Sequence, residues 1–182
     1  MERTIGVVIG VPQPWGAELD AHRAASGDMA APLVFAHITL LSPTVLPMSS
    51  TLDEEIDKLL VDVAADTEPF EVQLRGTGTF RPVSQVVFVA MAAGIAECER
   101  LADAIRTGPL WRELAHPYHP HVTVAHDVPG AALDAAYERL GGYTARFEVD
   151  HFTRYEHSGD GVWRPVRHYP LGSNSASAQG QA

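Results

Sequence analysis

Two tetrapeptides, His37-Ile38-Thr39-Leu40 and His121-Val122-Thr123-Val124, restrict this chain more than any other feature. Each alternates polar and apolar residues with the period of an extended strand. Histidine and threonine therefore share one face, and the aliphatic pair takes the other. The two stretches lie 84 residues apart in a chain of 182. One such stretch is common. Two of the same grammar in a small protein predict a symmetric site where two imidazoles and two hydroxyls converge, and any fold has to allow this.

The intervening residues supply short strands and amphipathic helices. Residues 4–11 (TIGVVIGV) read as a buried strand stopped by Pro12 and Pro14. Residues 15–26 read as a helix, with Trp15, Leu19 and His22 one turn apart. The first motif strand is expected over 32–41, closed by Ser42-Pro43. Thr51-Leu52-Asp53-Glu54 has capping-box form and opens a helix with the stripe Leu52, Ile56, Leu59, Leu60 and Val63. Residues 70–74 alternate as a half-exposed strand that Gly76-Thr77-Gly78 interrupts, and 83–91 is the most β-like run. A second stripe, Ile95, Cys98, Leu101, Ala102 and Ile105, ends at Gly108-Pro109. An aromatic and histidine passage over 111–120 then leads into the second motif strand, 120–125. Ala132, Leu133, Ala136, Tyr137 and Leu140 form a third stripe, which stops at Gly141-Gly142. Residues 143–153 and 161–171 read as two final strands around Ser158-Gly159-Asp160-Gly161.

Each half thus offers a His-x-Thr strand, a helix, and two strands joined by a glycine-containing turn. This is the pattern of a duplicated α+β unit, with two lobes facing each other. One domain of two lobes is expected over 1–171, followed by a disordered tail of small and polar residues over 172–182.

Bulk chemistry narrows the partners. The formal net charge is −10, from 13 Lys and Arg against 23 Asp and Glu, so the broad basic footprint that duplex DNA requires is missing. Small phosphate compounds suit this balance better. Cys98 is the only cysteine, which excludes an intramolecular disulfide and argues against a cysteine-based zinc site. A monomer in the reducing cytoplasm is the expected setting. Glu2 and Arg3 run directly into a short strand-like segment without the pattern of a secretory signal. No apolar stretch approaches the roughly 20 residues that span a bilayer.

Two histidines straddling one reacting atom suit acid–base catalysis, because imidazole titrates near neutrality and serves in either protonation state. One takes a proton from the attacking water or hydroxyl, and the other gives one to the leaving oxygen. Threonine hydroxyls two residues along can hold non-bridging phosphate oxygens. Phosphodiester cleavage is chiefly positioning and charge stabilisation, so these four side chains can suffice without metal.

On these residues the chain resembles the two-histidine (2H) phosphoesterases, which include the bacterial 2′-5′ RNA ligase-like proteins and cyclic phosphodiesterases. The likeness extends to the element order and to Gly76-Thr77-Gly78-Thr79-Phe80 before a hydrophobic strand. It implies a bilobal α+β fold with a cleft between two antiparallel sheets. It further implies metal-independent hydrolysis of cyclic (2′,3′- or 1″,2″-) or 2′,5′-linked phosphodiesters on RNA ends or small nucleotides, with no cofactor and with reversible RNA ligation as a related activity. By position, His37 and His121 would be the acid–base pair, and Thr39 and Thr123 the phosphate anchors. Pro120 precedes the second motif as is common in the family, whereas Ala36 stands where a proline often precedes the first.

Other residues carry weaker signals. Tyr118 and His119 sit just upstream of the second motif, where they can line the cleft or simply pack, and an aromatic there can stack a base. Arg75 and Arg81 flank the glycine-rich turn and are candidates for phosphate contact, although surface arginine is the commoner explanation. His116, His119, His121 and His126 cluster in sequence without a carboxylate pattern of a known metal type, and read as loop and rim residues rather than ligands. Gly76-x-Gly78 leads into a strand where a dinucleotide fingerprint requires a helix. Cys98 is expected to be buried and inert, and Asp53-Glu54-Glu55 to be a solvated helix start. Two further readings remain open: a binding module that holds an RNA end or phosphorylated ligand without turnover, and a metal hydrolase using the histidine cluster.

Overall fold

The structure, a computed structural model, describes residues 2–172. Its elements follow as β1 Glu2–Gly10, α1 Trp15–Ala25, β2 His37–Pro47, α2 Ser50–Ala65, β3 Phe70–Thr79 and β4 Val86–Ala93. Then come α3 Ile95–Ile105, a 3₁₀ turn Gly108–Leu110, β5 His121–His126, α4 Gly130–Arg139, β6 Thr144–Val149, β7 His151–His157 and β8 Arg164–Pro170. The strands form two antiparallel four-stranded sheets, in the orders β2-β1-β7-β8 and β5-β4-β3-β6. This is the expected α+β class, with pseudo-two-fold symmetry, helices on the outside and a central cleft.

Both motif strands are edge strands of their sheets, and they contact each other. The inner neighbour β1 is buried on both faces over most of its length, which explains its unbroken apolar sequence. The helices reach across: α1, which connects β1 to β2, contacts β5, whereas α3, which connects β4 to β5, contacts β2. Aliphatic residues from both sheets and all four helices, Ile38, Leu40, Val122 and Val124 among them, share one core.

The repeat differs in phase from the expected one. Its unit is strand, helix, motif strand, helix, that is β1-α1-β2-α2 and β4-α3-β5-α4. The strand after the first unit, β3, crosses to the other lobe, so β3 and β4, expected with the first motif, belong to the sheet of the second; after the second unit β6 stays in that sheet and β7 crosses back. The expected strand 143–153 is broken at Asp150 into β6 and β7, which lie in different sheets. Alternation slips at the break, where exposed Asp150 and His151 stand together between buried Val149 and Phe152, a signal that the reading of one continuous strand passed over.

Four further boundaries are corrected. β2 begins at His37, and residues 28–35 are turns: the Ala36 amide bonds the Asp20 carboxylate instead of a strand partner. β2 then runs past Pro43 to Pro47, with a register shift between the pairs Ile5↔Thr44 and Val7↔Leu41. An edge strand tolerates both prolines because its outer donors need no partner. Likewise Gly76-Thr77-Gly78 does not end β3 but sits at a register shift inside it. Helix α2 is capped by Ser49, whose side chain accepts from Leu52 N at 3.4 Å, so Thr51 lies within the first turn.

Nor is Asp53 merely solvated. Its carboxylate accepts from Arg3 Nη1 and Arg154 Nη2, both at 2.9 Å, and clamps α2 onto β1 and β7. Arg3 and Arg154 are themselves buried, and the bond from Arg3 is the main reason that Asp53 titrates below the usual carboxylate range. Cys98 is buried as expected, and burial pushes its thiol up to about 12. Of the expected tail, Gly172 donates its amide to Ala64 O at 3.1 Å, and 173–182 lie outside the described residues.

Candidate active site

The two motifs adopt the same burial pattern. His37, Thr39, His121 and Thr123 are half-buried, whereas Ile38, Leu40, Val122 and Val124 are buried. Across the ladders, His37 and Thr39 lie opposite Gly10 and Val8, while His121 and Thr123 lie opposite Ala90 and Phe88.

Each imidazole is anchored by the same local device. His37 Nδ1 lies 2.6 Å from Phe35 O, and His121 Nδ1 lies 2.7 Å from His119 O, the carbonyl two residues back in both cases. A carbonyl only accepts, so each Nδ1 carries the proton. The Nε2 lone pair of each neutral ring is then the nitrogen available for chemistry.

Both imidazoles titrate below the ordinary histidine value. Burial is the main cause for His37; the Phe35 carbonyl and the Asp20 carboxylate oppose it, and Arg23 reinforces it. Burial also dominates at His121 and takes it down to about 4; the His119 carbonyl opposes, and the rings of His119 and His37 add to the depression. That last influence shows that the two motif histidines sense each other's charge.

Aromatic rings hold the histidines in place. Phe80 and Phe88 contact His121 at centroid distances of 4.9 and 5.1 Å, and both also contact His119. A Cβ at Gly78 would come within 2.5 Å of the Phe88 ring, so the second glycine of the Gly-Thr-Gly run gives the ring its place against His121. On the other side, Phe35 lies 5.5 Å from His37 and 4.9 Å from Tyr155. Phe35, Phe80, Phe88 and Tyr155 were missed by sequence reasoning as neighbours of the motif histidines, because nothing in their local sequence marks a contact with those rings.

Two concavities flank the motif strands. A cleft of about 770 Å³ is lined by Thr39, Phe80, Arg112, Tyr118, His119 and His121, with other residues. A cavity of about 160 Å³ adjoins His37 and Thr39 and is walled by Val8, Val34, Phe35, Leu41, Tyr155 and Trp163. Thr39 borders both.

The remaining candidates separate. Tyr118 lines the cleft, but its hydroxyl donates to Thr39 O at 2.8 Å, a bond that ties the approach to β5 onto β2. His119 lines the cleft as well. Arg81 donates to Asp134 Oδ1 at 2.8 Å, so its guanidinium is committed to α4. Arg75 is exposed on β3 opposite Thr144, beside β6, and is not among the residues lining the cleft. Arg112, which sequence reasoning missed, lines the cleft and donates to Ser42 O, Pro43 O and Thr44 Oγ1. Its one signal was its place in the 111–120 passage. Among the described residues no three His, Cys, Asp or Glu side chains converge as a metal site would require. His116, His119, His121 and His126 therefore do not form one.

Residues 11–161 match the family model of the 2'-5' RNA ligase superfamily. The chain belongs to this family. It is thereby a member of the 2H phosphoesterases, as the paired motifs suggested. Among its relatives are proteins of Oceanobacillus iheyensis, 26% identical over 142 residues, and of Bacillus cytotoxicus, 28% identical over 145 residues. These matches cover 77% and 79% of this chain and 82% and 83% of the relatives, whose names assign them provisionally to the phosphoesterases. Solved structures with the same fold include E. coli LigT complexed with 3'-AMP, at TM-score 0.67 and 20% identity, covering 94% of this chain and 99% of that one. The protein TT0787 of Thermus thermophilus aligns at TM-score 0.63 and 22% identity, over 93% and 98% of the two chains. Among the described residues no helix is long and apolar enough to cross a membrane.

Proposed function

We propose that this 2H phosphoesterase hydrolyses cyclic (2′,3′- or 1″,2″-) or 2′,5′-linked phosphodiesters of small nucleotides or RNA ends, with His37 and His121 as the acid–base pair. The observation that carries the reading is the matched anchoring of two imidazoles, each held through Nδ1 by the carbonyl two residues back, on strands that contact each other. Thr39 and Thr123, two residues along the same strands, are read as the phosphate anchors.

Both imidazoles are depressed, so at neutral pH the empty pair is uncharged. An anionic phosphodiester bound between them raises both affinities for a proton, and the pair takes one up as substrate binds. The neutral ring removes a proton from water through Nε2 as the water oxygen attacks phosphorus. The P–O bond to the leaving alkoxide breaks, and the protonated ring supplies the proton that makes it an alcohol. Thr39 and Thr123 hydroxyls donate to the non-bridging oxygens, where charge accumulates. For a 2′,3′-cyclic substrate the product is a phosphomonoester, with one water consumed and one ring C–O–P link opened.

A nucleotide substrate is supported by the cavity beside His37. Its walls of Phe35, Tyr155, Trp163 and aliphatic side chains suit a flat base better than a sugar. LigT, which shares the fold, has been crystallised with 3'-AMP and with NADP+.

The test is turnover of 2′,3′-cyclic, 1″,2″-cyclic and 2′,5′-linked substrates, with products identified by mass. At least one should be hydrolysed in the presence of EDTA, and His37→Ala and His121→Ala should each abolish this while keeping the circular dichroism of the parent. Full activity in either variant overturns the mechanism, and loss of parental activity on chelation overturns its metal independence.

A further inference from the structure

The two motifs differ in the residue ahead of the histidine, Ala36 in the first and Pro120 in the second, and the fold buries both. Proline fixes its own φ and brings no N–H to this position. Alanine leaves φ free and brings a donor that must be satisfied away from water. Here the Ala36 amide donates to Asp20 Oδ1 on α1 at 2.6 Å, and the Ala36 carbonyl accepts from Val11 N at 3.0 Å. The residue before His37 is thus tied on both sides. One tie is to a carboxylate, an acceptor roughly twice as strong as a neutral one.

We propose that Asp20 is a positioning residue for His37, its carboxylate setting the backbone at the start of the first motif strand as the Pro120 ring does at the second. The inference rests on the reading of His37 as one of the acid–base pair.

Position and charge are separable parts of this role. Asp20 and Arg23 face His37 from α1 with opposite effects, Asp20 favouring the protonated ring and Arg23 opposing it. Arg23 is itself held by Asp28 at 2.7 Å, within the turns that lead to β2. His121 on β5 lies within electrostatic reach of His37, and Tyr155 on β7 lines the same cavity as His37. Replacing the Asp20 carboxylate by an amide keeps an acceptor for the Ala36 N–H but removes the charge. Replacing it by a methyl group removes both.

The experiment compares Asp20→Asn, Asp20→Ala and the double variant Asp20→Ala/Ala36→Pro with the parent. The readouts are kcat on a 2′,3′-cyclic nucleotide and the His37 imidazole titration by NMR. Asp20→Asn should keep kcat at its own optimum within about threefold while moving the His37 titration to lower pH. Asp20→Ala should lose roughly tenfold to a hundredfold in kcat, the size of effect expected when a catalytic group is misplaced by about an ångström. The double variant should recover most of that loss while keeping the lowered titration, because proline restores the backbone angle but not the charge. Parental kcat in Asp20→Ala overturns the inference, as does a folded double variant no better than Asp20→Ala. An unmoved His37 titration in Asp20→Asn overturns the part assigned to charge. Lack of turnover in the parent would instead count against the hydrolase reading, and the His37 titration still tests Asp20 in that case.

Discussion

The depression of His121 to about 4 makes it a determinant of acid stability, with a sign that follows from linkage. In the unfolded chain the imidazole titrates near its ordinary value of 6.5. Above that pH the ring is neutral in both states and stability is complete. As pH falls from 6.5 toward 4, the unfolded chain takes up a proton that the folded protein resists, and stability drops. A separation of about 2.5 pH units corresponds to roughly 3 kcal/mol. In a protein of this size, that is a fall in Tm of roughly 6 to 12 °C.

The perturbation is His121→Gln, which removes the titration at that site. The assay is urea unfolding of both proteins at about pH 7 and about pH 4. The loss on acidification should be roughly 3 kcal/mol larger in the parent than in the variant, with similar m-values in the two proteins. His37, depressed in the same direction, is present in both and cancels. Equal pH dependence in the two proteins would refute the argument, because His121 would then not be buried and neutral in the free protein.

Three other outcomes are expected. The optimum of kcat/KM should lie at lower pH than that of kcat, because the former reports the depressed histidines of the free protein and the latter a pair whose pKa values the bound phosphate has raised; coincident optima would oppose this. Gly78→Ala should lower both kcat and thermal stability, by about 1–3 kcal/mol in the latter, because the new Cβ meets the ring of buried Phe88 and displaces the support of His121; unchanged melting would remove the reason given for this glycine. Asp53→Ala should cost about 3 kcal/mol or more in urea unfolding, since it leaves the buried Arg3 and Arg154 sharing Glu156 alone; a loss below about 1 kcal/mol would make the clamp incidental.

Much of the site could be read from alternation and spacing. His37 and Thr39 share a strand face in any register, as do His121 and Thr123, because a period of two is a property of extended backbone. The helical stripes of α2, α3 and α4 likewise depend on local periodicity, and their cores at Ile56, Leu60, Cys98, Leu101 and Leu133 are buried as the pattern requires. Boundaries were less legible. Pro43 read as a stop because an edge strand with a bulge cannot be told from a strand end by composition. The run Pro32 to Phe35 read as strand because its residues are apolar, yet the chain turns there, and Val34 and Phe35 wall a cavity.

The two His-x-Thr motifs by themselves determined which side chains the candidate site presents on each strand face, because side-chain identity and strand periodicity are local. Which lobe each strand joins was decided only in the tertiary structure, because β3 and β4 pair with the second motif strand's sheet and β7 with the first through long-range ladders. The same holds for the support of the histidines. Asp20, Gly78, Phe88 and Tyr118 reach His37 and His121 or their strands from other elements, and nothing in their local context marks such contacts. Electrostatic tuning also belongs to the tertiary level, since the depression of both imidazoles comes mainly from burial, which exists only once residues distant in sequence have packed around them.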